Sequence, residues 1–216
     1  MDNAVALVQT YLRVNGYLTV TEYPVVEALE GGGFQSATDL DILAFRFGRA
    51  SMLGGAVTAS GQPIADRPML IDPALDLRPD LPDMIIGEVK EGRAFLNRGA
   101  TDRAVLASAM NRFGCCDADE SESVVDDLLQ RGKAKIARGH RVRLVAFGSL
   151  PPETPTKQYE VILLGHILDF LTAHLRRHWS VIQAADTKDP ALGFLKLLEK
   201  AGRGIRFDGG KPKPER

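Results

Sequence analysis

Apolar residues at Ala4, Leu7, Val8, Tyr11 and Leu12 recur at helical spacing and Gly16 follows them, which predicts a helix over residues 3–15. Residues 17–28 are rich in Thr, Val and Tyr and read as a strand, with Pro24 marking an edge or a bulge. Gly31-Gly32-Gly33 is a turn; it lacks the Lys-Ser/Thr of a phosphate-binding loop. Residues 38–47 form a second strand and residues 84–90, Met-Ile-Ile-Gly-Glu-Val-Lys, a third. Between them, residues 49–83 are rich in Gly, Pro and Ala without periodicity, an insertion with a short strand expected at Met69–Asp72.

The second half alternates differently. Thr101 or Asp102 can cap a helix running to about Phe113, with Gly114 as its stop. The acidic turn Asp117–Glu122 can cap a further helix, expected over about residues 121–137. Residues 141–147 and 159–164 read as strands, separated by a loop at Pro151-Pro152. A helix is expected from Ile167 to His178, and a last one behind the cap Asp189, with Pro190 at its first position and Gly202 as stop. Helix, three strands, helices, two strands and two helices predict an α/β fold with a mixed sheet flanked by helices on both faces. Residues 1–202 make a single domain, and 203–216 read as a flexible tail.

Charge narrows the function classes. Lys plus Arg is 27 and Asp plus Glu 28, a net charge of −1, so binding of nucleic acid by bulk positive charge is excluded. Local charge is not: residues 131–143 carry six basic residues (Arg131, Lys133, Lys135, Arg138, Arg141 and Arg143) and no acid. Such a run is either a solvated face or a track for a phosphate backbone, with Lys133, Lys135, Arg138 and Arg141 as the contacts. The two cysteines, Cys115 and Cys116, are adjacent, which suits free thiols and excludes a disulfide framework or a cysteine zinc site. No signal-like N-terminus and no membrane-length apolar run are visible, so a cytoplasmic protein without a membrane partner is expected. His174 and His178 stand four apart on one helix, but no third zinc ligand is suggested.

The third strand holds the informative chemistry. Alternation places Met84, Ile86, Glu88 and Lys90 on one face, and Ile85, Gly87 and Val89 on the other. A carboxylate and an ammonium thus emerge from an otherwise apolar strand, and a buried charge needs a partner. On the second strand Asp39 and Asp41 share a face with Leu43, Phe45 and Phe47, opposite Leu40, Ile42, Ala44 and Arg46. Antiparallel pairing can bring one aspartate to Glu88, and two carboxylates held together call for a cation between them. Hard divalent ions take such oxygen ligands, and Asp, Glu and Lys so arranged suit metal-assisted phosphodiester hydrolysis.

Thr38-Asp-Leu-Asp-Ile-Leu-Ala-Phe followed by Met84-Ile-Ile-Gly-Glu-Val-Lys resembles the core of the PD-(D/E)xK nuclease superfamily over about residues 3–148. The resemblance implies a restriction endonuclease-like αβββαβ core and a Mg²⁺-dependent endonuclease acting on nucleic acid, most naturally DNA, with Mn²⁺ as an alternative ion and a homodimer as one possible assembly. It implies that Asp41, Glu88 and the carbonyl of Val89 hold the metal and that Lys90 acts on the attacking water. The first helix carries no glutamate of the kind the family often uses, and Glu22 and Glu27 are substitutes to consider. Forty-six residues separate Asp41 from Glu88. Asp80 and Asp83, each after a proline, imitate the written motif but read as turn residues opening the strand. Two alternatives stand beside the enzyme: Glu88 and Lys90 as a solvated salt bridge on an edge strand, or a non-catalytic binding or interaction module that keeps the fold.

Overall fold

The computed structural model describes residues 2–50, 60, 71–114, 116–137 and 139–202. The expected tail therefore lies outside the described residues, as do Cys115, Arg138 and half of the strand expected at Met69–Asp72; Ile71 and Asp72 are not in a strand. Helix α1 (Asn3–Val14) begins at Asp2, whose carboxylate accepts from the Ala4 amide at 2.7 Å. Strands β1 (Leu18–Ala28), β2 (Phe34–Arg46) and β3 (Asp83–Arg93) follow, then α2 (Arg103–Phe113) and α3 (Ala118–Arg131). Strands β4 (Lys133–Lys135), β5 (Arg141–Leu150) and β6 (Glu160–Leu163) precede α4 (Leu164–Arg177), α5 (Trp179–Ile182) and α6 (Pro190–Lys200).

The first three strands form an antiparallel meander. Strand β5 then joins β3 in parallel, Asp83 facing Arg141 and Glu88 facing Ala146. The outer edge of β5 is shared: β4 pairs antiparallel with residues 141–143, and β6 pairs parallel with residues 145–148. The result is a mixed six-stranded sheet with β3 in its interior. Its residues divide between two apolar clusters. Ile42, Ala44, Ile85, Val89, Val145 and Phe147 pack against α1 and α4, while Leu43, Met84, Ile86, Val142 and Leu144 pack against α2 and α3. A strand covered on both faces carries apolar side chains at successive positions, which is what β3 and β5 show.

Three expectations need correction. The helix expected to reach residue 137 stops at Arg131, because Gly132 takes a left-handed conformation (φ +69°) and residues 133–135 enter the sheet as β4. A Cβ on Gly132 would lie 2.5 Å from the Gln158 carbonyl oxygen, so that turn requires glycine. Leu40 does not share a face with Ile42: it packs with Leu43, so alternation along β2 breaks at Asp41. Opposite Asp41, between the pairs Thr21–Ile42 and Tyr23–Leu40, Glu22 has φ +52°, the mark of an irregular edge. Asp83, expected in a turn, is a buried residue of β3; its carboxylate accepts from Tyr17 at 2.6 Å, from Arg141 at 2.7 Å and from Arg143 at 3.0 Å. An aspartate can occupy a sheet interior there because two guanidiniums neutralise it.

Among the described residues no helix is long and apolar enough to cross a membrane.

Candidate active site

The backbone pairs of β2 with β3 end at Ile42–Gly87. One residue further along, the Asp41 side chain takes over from the backbone: its Oδ2 accepts from the Val89 amide at 2.8 Å. The amide and carbonyl of one strand residue point to the same edge, so the Val89 carbonyl also lies on the Asp41 side of β3. On the same strand, Gly87 leaves room for Phe147 and Ile42 to pack closely over it. A Cβ there would meet Phe147 at 2.9 Å and Ile42 at 3.3 Å.

Glu88 follows on the α2–α3 face and is 1% exposed. Its Oε1 accepts from Asn97 Nδ2 at 2.6 Å and from the Lys90 ammonium. Its Oε2 is buried and has no hydrogen-bond partner among the described residues. Burial is the main force raising the Glu88 pKa above its usual range and the Asp41 charge adds to it, against the contacts to Lys90 and Asn97. Lys90, 29% exposed at its side chain, also lies 5.5 Å over the ring of Phe95. Lys90 and Glu88 do pair, but on an interior strand and not at the solvated edge that the surface salt bridge requires.

Asn97 is the residue that sequence reasoning missed. It sits in the connection from β3 to the 3₁₀ turn Gly99–Thr101, where its Oδ1 accepts from the Ala100 amide at 2.7 Å. One side chain thus shapes the turn and grips Glu88. Asn97-Arg98-Gly99 is a turn signal in the sequence, but nothing there says which carboxylate the amide would meet.

The structure brings Asp41, Glu88, Val89 and Lys90 together. Of the acids considered for a third ligand, Glu22 stands opposite Asp41 in the register, whereas Glu27 is at the far end of the hairpin, bonded by Gln35. Asp80 is exposed and bonded to Arg49, and Asp83 lies five residues back along β3, about 17 Å from Glu88. Among the described residues no group of three or more His, Cys, Asp or Glu side chains is gathered at one point. The oxygen donors available are the second carboxylate oxygen of Asp41, the orphaned Oε2 of Glu88 and the Val89 carbonyl. Such a set suits a hard divalent ion, and a buried carboxylate oxygen with no protein donor is what a cation would satisfy.

The basic residues are gathered elsewhere. Lys133 and Lys135 on β4 and Arg141 at the start of β5 lie at the Asp83 end of the sheet, not at the Glu88 end. Cys116 is buried. Comparison with protein-family models, curated proteins and solved structures gave no match to this chain.

Proposed function

We propose that the chain is a divalent-metal-dependent nuclease of the PD-(D/E)xK type, with the restriction endonuclease-like core that this reading entails. The observation that carries it is the Asp41 carboxylate bonded to the Val89 amide beside Glu88, whose own Oε2 is buried and, among the described residues, unbonded. Asp41, Glu88 and the Val89 carbonyl would hold Mg²⁺ or Mn²⁺, which supplies Lewis acidity to a phosphodiester oxygen. Lys90 is the part that would move. On releasing Glu88 its ammonium can orient the attacking water and balance negative charge growing on the phosphate. Asn97, bonded to Glu88 Oε1, would leave Oε2 as the oxygen to hold the cation.

Cleavage of plasmid and branched DNA with Mn²⁺ tests the reading. Lys90→Ala should lower the rate about a hundredfold or more, as removal of one charge-stabilising donor does elsewhere. Equal rates in wild type and variant would overturn it. At neutral pH, Mn²⁺ at a hundred times its dissociation constant should stabilise the wild type by about 2.7 kcal/mol and leave Asp41→Asn and Glu88→Gln unmoved.

A second reading is a non-catalytic module, favoured by the direct Lys90–Glu88 contact and by the absence of a gathered third acid among the described residues. Calorimetry with Mn²⁺ separates the two: no heat that depends on Asp41 and Glu88 selects the module.

A further inference from the structure

At the Asp83 end of the sheet, β4, the start of β5 and the end of α3 enclose a cleft of about 420 Å³. Five cationic side chains line it (Arg78, Arg131, Lys133, Lys135 and Arg141) against the three acids Asp76, Asp83 and Asp127. The pairing within it is uneven. Arg141 is bound to Asp83 and Asp76, and Arg131 to Asp127. That uses every acid of the lining. Among the described residues Arg78, Lys133 and Lys135 have no carboxylate partner, and all three are exposed. Ala134 is buried in the α2–α3 cluster, so alternation turns Lys133 and Lys135 outward together, about 7 Å apart. A second depression of about 500 Å³ adjoins the first, shares Arg131 and Lys133 with it, and adds Lys157. The two form one trough in which unpaired ammonium groups recur. No Phe, Tyr or Trp lines the first depression, and the His140 ring is already packed against Phe45. The first depression therefore offers charge without a platform for a base, while the half-buried Tyr159 forms part of the wall of the second.

We propose that this trough is a metal-independent binding site for the sugar–phosphate backbone of a nucleic acid, held by Arg78, Lys133, Lys135 and Lys157. Its length and repeated charge suit a chain of phosphates better than a single one. Arg141, expected from sequence to be a contact, instead frames the trough through Asp83. The trough's Lys135 end is level with Asp83, about 17 Å from Glu88 along the strands, and its Glu160 end is level with Gly87 but two strands away; the site does not depend on the metal reading.

The test is fluorescence anisotropy with a labelled single-stranded oligonucleotide in EDTA, across a salt series, using the full chain. EDTA silences any cleavage, so failure of the nuclease reading leaves the result unaffected. Lys133→Gln/Lys135→Gln should weaken binding roughly tenfold at low salt and flatten the log–log salt slope by about 1.4. Lys188→Gln/Lys200→Gln, which removes equal charge outside the trough, should leave both unchanged. The proposal is overturned if both pairs behave alike, or if the trough variant binds as wild type does. It is overturned too if inorganic tripolyphosphate binds as tightly as the oligonucleotide and with the same dependence on Lys133 and Lys135, since the site would then be one for a small anion.

Discussion

Gly87 stands where two side chains from neighbouring strands meet over β3. Its missing Cβ lets Phe147 and Ile42 close over the strand, because a methyl group at this position would press on both. Gly87→Ala should therefore cost about 1–3 kcal/mol of stability, read as a lower urea midpoint with an unchanged slope. At this scale the sequence was informative where alternation operates. A glutamate and a lysine on one face of an apolar strand followed from period-two spacing, whereas the choice of Asp41 on the strand before it rested on the resemblance, since alternation breaks at Asp41 itself. Asn97 could not be placed, since its meeting with Glu88 is arranged by the loop and not by any repeat.

Helix α4 buries an unusual element of its own. His174 lies 7% exposed, stacked on Phe170 at 6.0 Å, with the His178 ring at 4.7 Å. Burial first, and then His178, pushes the His174 pKa down from 6.5 to about 4. The unfolded chain therefore binds a proton between those values that the folded chain refuses. Stability present above pH 6.5 is lost as the pH falls toward 4, by an amount on the order of 3 kcal/mol. Urea titrations at pH 7 and pH 4.5 check this: His174→Leu should lose less stability over that interval than the wild type does. Among the elements, long strands and capped helices were legible, α2 to within a residue or two. Strand β4 was not, because three residues are too few to show a period and the helical pattern of α3 ran on into them. Gly132 was the signal for the boundary, and its left-handed turn outweighed that pattern.

Over the whole molecule, the general α/β plan followed from element order, but the sharing of the β5 edge by β4 and β6 did not. Pairing among late strands depends on which long-range contacts bury most, and local pattern carries little of that. The same holds for Asp83, whose sequence neighbours suggest a turn while its spatial neighbours, Tyr17, Arg141 and Arg143, come from far along the chain. Asp83→Ala leaves Arg143, which is fully buried, without its charge partner there, and should cost about 3–5 kcal/mol in thermal or urea unfolding. Strand β3 thus holds two buried acids on opposite terms, one matched on all sides and one left with an oxygen unmet. In a mutational scan scored by protein abundance, the two ends of this strand should give opposite profiles. Nearly every replacement of Asp83 depletes the protein. Glu88→Gln, which removes a confined charge, leaves the amount of protein equal to or above that of the wild type.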